Sequence, residues 1–287
     1  METVHELEPN SSAQTGTDEM IGVQSAGYLL ELSLDWIVLR ASENIQRLLG
    51  ESHVTVIDEP LGRFVQSQAL HDLRNLFSRL SGTTGIARAY GVRLTDDPDL
   101  FDIAFQLSDG RVLLEATPSS GSYGEAFGSV GGLIAGLANS HGQSLLDSAA
   151  RRMRALTGYD RVTLICGDHR AESSRGTFAG AADVSQDLPA MIADTDAAAV
   201  SIFPRRYEDT SASDALMCSS TPNVLHSLRS AGVRACLRVP FNVDELQGEF
   251  RCDSRTARQP SFEMHAATEL FAQLFAMRLE IDRLKNG

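Results

Sequence analysis

The sequence predicts an α+β chain of two domains, each an antiparallel sheet with flanking helices, followed by one long helix. Three observations carry this. The chain has 287 residues, and at about 100–200 residues per domain that makes two. Two runs of strand and helix patterns flank a stretch, 119–142, that holds seven glycines. After Pro260, apolar residues recur at 3-4-3-4 spacing, the period of a packed helix.

Residues 1–19 carry Glu2, Glu6, Glu8, Asp18 and Glu19 with no Lys or Arg, and read as a disordered acidic arm. "YLLELSLDWIVLRAS" (28–42) reads as two strands around Asp35. Ser42 is a suitable N-cap for "ENIQRLLG", a helix that Gly50 closes. In "LHDLRNLFSRLSG" (70–82), Leu70, Leu73, Phe77 and Leu80 share one helical face. Three strands follow in 85–95, 100–108 and 111–117, the last two joined by the hairpin signal Asp109-Gly110. This predicts a first domain over 20–118.

The glycine-rich 119–142 matches no phosphate-loop pattern and reads as a connector, with "FGSVGGLIAGLA" forming a small-residue helix. Ser144 opens the next helix, in which Leu146, Ala149, Met153 and Leu156 recur at 3-4-3 spacing up to Gly158. "RVTLIC" is a strand, and 167–187 is a polar stretch. "AAAVSIF", a short helix from Pro222 to Gly232, "VRACLRVPF" and "LQGEFRCD" complete a second α+β domain over 143–260. The final helix, 261–287, carries two stripes. Ala267, Leu270, Leu274, Met277, Ile281 and Leu284 form a heptad seam, which predicts a homodimer interface of Leu270, Leu274, Met277, Ile281 and Leu284. Phe271, Phe275 and Leu279 form the second stripe, which packs on its own domain.

Composition narrows the function. The net charge is −13, and Lys285 is the one lysine among 25 basic residues. An acidic chain without a polybasic run excludes nucleic acid and anionic membrane as partners for the surface as a whole. There is no secretory pattern and no membrane-length apolar run, so the expected location is cytoplasmic. Cys166, Cys218, Cys236 and Cys252 have no paired spacing and read as reduced thiols. No two histidines are spaced as a zinc helix requires, and no nucleophile elbow is present. "DDPD" (96–99) reads as a solvated turn. The sequence therefore names no catalytic residue and no metal site, and points to a sensor or interaction module.

Six segments, in order, resemble the PAS–GAF pair of bacterial phytochromes, which binds a bilin pigment. "IGVQSAGYLLEL" is similar to the run before the first PAS strand, through Val23, Gln24, Gly27, Leu29 and Leu30. "ASENIQRLLG" resembles the first PAS helix, and "LTGYDRV" the first GAF strand. "ADTDAAAV", "STPNVLHSLRSAGVRAC" and "LQGEFRCD" follow in the family's order. The resemblance implies a PAS domain at 20–118 and a GAF domain at 143–260.

It also implies a bilin site, and here the sequence departs from the pattern. A bilin needs a thiol for its thioether, a histidine beside the pyrrole nitrogens, an aspartate to orient them, and basic groups for two propionates. The N-terminal arm has no cysteine, and the alternative thiol position falls on Asn223. The pocket histidine falls on Val224, and His226 lies about 200° around the helix from it. Asp187 in "VSQDLP" is one placement of the aspartate motif; a second placement deletes the motif. Asp253 stands where the family has a ring-binding histidine, and Gln247 replaces a tryptophan. Cys218 and Cys236 read as buried small apolar residues.

The expected reading is a non-enzymatic, phytochrome-like regulatory module without bilin, dimeric through its last helix. It would act through another signalling protein or feed a downstream output domain. The alternatives are a red/far-red photoreceptor holding biliverdin, and a PAS/GAF sensor of another small ligand. The knot that the family makes with its N-terminal arm stays open at this level.

Overall fold

The computed structural model describes residues 22–80, 85–121, 124–180, 188–205, 211–243 and 246–286. The acidic arm and Asp187 lie outside them.

The first half comprises β1 (Gly22–Gln24), β2 (Tyr28–Leu32), β3 (Val38–Ser42), α1 (Gln46–Leu49), α2 (His53–Val56), α3 (Ser67–Phe77), β4 (Ile86–Val92), β5 (Phe101–Ser108) and β6 (Arg111–Pro118). Asp109 and Gly110 both have positive φ, 47° and 72°, so the hairpin turn takes the twist-compatible form that Asp-Gly favours. Gly50, at φ 76°, closes α1 as expected. Ser42 does not cap that helix. It ends β3, and its Oγ accepts from Leu29 N–H at 3.0 Å across the sheet, so a strand partner outcompetes the helix end. The core under this sheet contains Trp36, Phe105, Leu73 and Val38, with Leu70, Phe77 and Leu80 packed at its margin.

The second half comprises α4 (Glu125–Ala135), α5 (Gly142–Thr157), β7 (Arg161–Cys166), β8 (His169–Ser174), β9 (Met191–Ile192), β10 (Ala199–Phe203), α6 (Pro222–Ser230), β11 (Ala235–Val243), β12 (Leu246–Ser254) and α7 (Phe262–Asn286). The connector thus contains a helix, α4, which packs against α7. α5 starts two residues before Ser144, and the Ser144 hydroxyl instead accepts from His141 N–H at the N-cap. The polar stretch after β7 folds back as β8, with Arg170, Glu172 and Ser174 turned out and Ala171 and Ser173 turned in.

All strand pairs are antiparallel, and they form two sheets. The five-stranded sheet has the order β8-β7-β12-β11-β9. The seven-stranded sheet has the order β1-β10-β3-β2-β6-β5-β4, so a strand from the second half extends the sheet of the first. β1 is hydrogen-bonded on both edges: Gly22 and Val23 pair with Ser201 and Val200, and Val23 bridges Cys218 on the other side. Gln24 fastens this arm further, donating to Met191 C=O and accepting from Ala193 N–H at 2.7 Å.

Glu115 of β6 completes the junction. Its two carboxylate oxygens accept from the N–H groups of Leu216 (2.8 Å) and Met217 (2.7 Å). Full burial pushes its pKa up to about 7, although both N–H groups pull it down. A folded-state pKa above the unfolded value of 4.5 means that the folded chain keeps a proton that the unfolded chain has released. This contribution to stability is therefore full below pH 4.5 and is lost as pH rises through about 7. Urea midpoints of wild type and E115Q at pH 5 and pH 8 test it. Wild type should lose more stability over that interval than E115Q, by up to about 1.4 kcal/mol per pH unit. Equal losses would contradict it.

Candidate functional site: the α6 face of the second sheet

Alternation along the five-stranded sheet separates two faces. Val162, Leu164, Leu237, Val239, Phe250 and Cys252 point to one side and join the core made with α5 and α7. Phe271 and Phe275 of α7 stack on Phe250 there, with ring centroids 5.9 Å and 5.3 Å away. The opposite face carries polar groups in cross-strand rows. Arg161, Asp253 and Cys236 are in register across β7, β12 and β11, and Thr163, Arg251 and Arg238 form the next row.

Asp253 is the centre of that face and is fully buried. Its Oδ2 accepts from Arg161 Nε at 2.9 Å and Nη2 at 2.8 Å, and from Arg251 Nη2 at 3.3 Å. Arg161 also donates to Gly180 C=O at 2.8 Å, and its guanidinium lies 4.1 Å from the centre of the Phe178 ring. The carboxylate is thus paired rather than stranded, because the register sets two arginines beside it. The sequence reading missed Arg161 and Arg251 as its partners. Their one signal was position: Arg161 sits in "YDRV", and Arg251 two residues before Asp253 on the same strand face.

α6 covers this face. Thr221 caps it, accepting from Val224 N–H, and Pro222 takes the first turn. Leu228, Val233, Cys236, Leu188, Ile192 and Ala231 form a buried cluster beneath it, with Val224, Leu225 and Phe178 packed at the edge. Val224 therefore faces inward, while Asn223 and His226 are exposed. The four cysteines are free and buried. Burial and the neighbouring Asp253 carboxylate push the Cys236 thiol well above its ordinary pKa, and burial does the same to Cys252. A thiol held protonated in this way is a poor nucleophile. Among the described residues no cluster of His, Cys, Asp and Glu could hold a metal ion.

The two stripes of α7 separate as the spacing predicts, with one change. Phe271, Phe275 and Leu279 are buried, and Ala267 of the seam joins them. Leu270 (38%), Met277 (64%), Ile281 (47%) and Leu284 (76%) are exposed, and Leu274 is half-buried. The last turns are tied to α5 by Asp282, which accepts from Gly142 N–H at 2.8 Å and bonds His141 Nδ1 at 2.6 Å.

Comparison with known proteins places this arrangement. Residues 20–119 match the PAS fold family. A bacteriophytochrome of Pseudomonas aeruginosa is 27% identical over 92% of this chain. The chain is thus similar in sequence to a bacteriophytochrome. It spans 39% of the length of that relative. The chromophore-binding domain of Stigmatella aurantiaca phytochrome P1 superposes with a TM-score of 0.74 at 22% identity, covering 90% of this chain and 95% of that one. A bacteriophytochrome of R. palustris gives 0.77 at 21% identity, covering 92% and 59%. The fold of the chain is therefore that of a phytochrome chromophore-binding domain.

The space beneath α6 is filled by Leu228, Val233, Cys236, Leu188 and Ile192. The Asp253 carboxylate beside it is already bound by two arginines.

Proposed function

We propose that the chain is a non-enzymatic, cytoplasmic regulatory module of the phytochrome type that has given up its pigment, with a PAS domain at 20–118 and a GAF domain at 143–260. The observation that carries this reading is the packed apolar cluster beneath α6, roofed by Val224 where the family has a histidine. The charge balance supports it. In the Arg161–Asp253–Arg251 group the arginines serve an internal carboxylate rather than a ligand's propionates. With no pigment to change shape, the signal would be a shift between two packings of the domains, biased by a partner or ligand that prefers one of them. The exposed stripe of α7 is the proposed dimer surface and the route to a partner protein or an output domain. Among the described residues no helix is long and apolar enough to cross a membrane.

Co-expression with a haem oxygenase, or mixing with biliverdin, tests the loss of pigment. The expected protein is colourless after gel filtration. A red absorption band that photoconverts would overturn the reading and establish the photoreceptor alternative.

A further inference from the structure

A cavity lies on the side of the five-stranded sheet away from α6, at the junction of α5, β9, β11 and the first turn of α7. It measures about 140 Å³. An apolar cavity of about 150 Å³ accommodates one benzene molecule. Its lining includes Met191, Leu237 and Met264, which give an apolar body, and Tyr159 and Arg258, which give the polar end.

Those two polar groups have spare capacity of matching sign. No hydrogen bond engages the Tyr159 hydroxyl among the described residues, although the ring is held beneath the Arg258 guanidinium at 4.7 Å. Burial raises the phenol's pKa, so it stays neutral and remains a donor. Arg258 is anchored by Nε to Ser254 Oγ at 3.2 Å and by Nη2 to Gly158 C=O. Its Nη1 makes no hydrogen bond among the described residues, and no carboxylate pairs with it there. Asp160, the acid that feels its charge, is already bound by Arg255. A fixed cation and the hydroxyl donor of a half-buried tyrosine at one end of a largely apolar cavity ask for an acceptor that carries negative charge.

We propose that this cavity binds a small monocarboxylate with an apolar body, of the size of benzoate or a branched short-chain acid. The carboxylate accepts from Arg258 Nη1 and from the Tyr159 hydroxyl, and the body rests on Leu237 and the two methionines. Such a ligand would touch Ser261 and Met264 in the first turn of α7. The inference does not depend on the fate of the bilin site, and its test reads no pigment absorbance.

The test is titration of the full chain with benzoate, benzamide and acetate, followed by calorimetry and thermal shift. Benzoate should raise the melting temperature, and benzamide and acetate should bind at least about tenfold more weakly, a difference of ~1.4 kcal/mol. R258Q should weaken benzoate by about tenfold or more, as loss of a charge-assisted hydrogen bond implies. R255Q, which leaves the cavity intact, should not. Y159F keeps the ring and should melt no lower than wild type while still binding benzoate several-fold more weakly. Absence of benzoate binding to wild type would overturn the proposal, as would equal binding of benzamide. If R258Q does not fold, Y159F decides alone, and unchanged benzoate affinity in it would refute the site.

Discussion

Replacing Asp253 with alanine is expected to destabilise the chain by about 3–5 kcal/mol, measured as the change in urea unfolding free energy. The carboxylate is fully buried and neutralises Arg161 and Arg251, whose side chains are almost as deeply buried. Forming such a group from hydrated charges gains little, because each ion loses its water. Removing its centre is a different event: two guanidinium groups remain in a site of low dielectric with no anion between them. Gly180 C=O and the Phe178 ring still face Arg161, and they offset part of the loss. D253N keeps the shape and one acceptor and should fall between wild type and D253A. R161M should be costly alone, and milder when combined with D253L. The combined loss should be smaller than the sum of the single losses by at least about 1 kcal/mol, as for groups that share one network. Additive losses, or a D253A chain within about 0.5 kcal/mol of wild type, the range of ordinary surface changes, would show that the triad is not an electrostatic unit.

The same residues mark how far the sequence could be read. Local features were legible because their causes are local. Asp109-Gly110 specifies its turn through two positive φ angles, Gly158 ends α5 in the left-handed region, and the paired stripes of α7 follow from helical period alone. Asp253 was legible as a departure from the family's pattern, and its two arginine partners were not. Its pairing depends on the β7–β12 register, which no single strand announces. Ser42 has every property of an N-cap, and the backbone of β2 takes its hydroxyl instead. β10 looked like a strand of its own domain, but it completes the other sheet, because strand pattern fixes which residues are extended and not which edge they meet. The cavity beside Tyr159 draws its lining from α5, β9, β11 and the approach to α7, so nothing in one segment could reveal it.

The second large effect is expected at α7, where M277E/I281E should convert the proposed homodimer into a monomer. Met277, Ile281 and Leu284 are large apolar side chains one helical turn apart, and each is about half or more exposed. The far side of the helix is already used: Phe271, Phe275 and Leu279 fill the core, and Asp282 and Arg278 hold the start of α5. The exposed stripe is therefore not a core surface left over by loose packing. Phe127, on the neighbouring α4, adds another exposed ring. An apolar row of this kind is worth about 1.5–3 kcal/mol for each side chain fully buried against a partner. Two glutamates on each helix would remove two of these contributions. They would also bring like charges together across a two-fold axis. The dissociation constant should rise by roughly a thousandfold, or ~4 kcal/mol. Light scattering after gel filtration reads this directly, and circular dichroism should be unchanged, because neither side chain belongs to the core. A wild-type chain that is monomeric at tens of micromolar would remove α7 as the dimer surface. So would a double variant that stays dimeric, since the association would then have to use a different face.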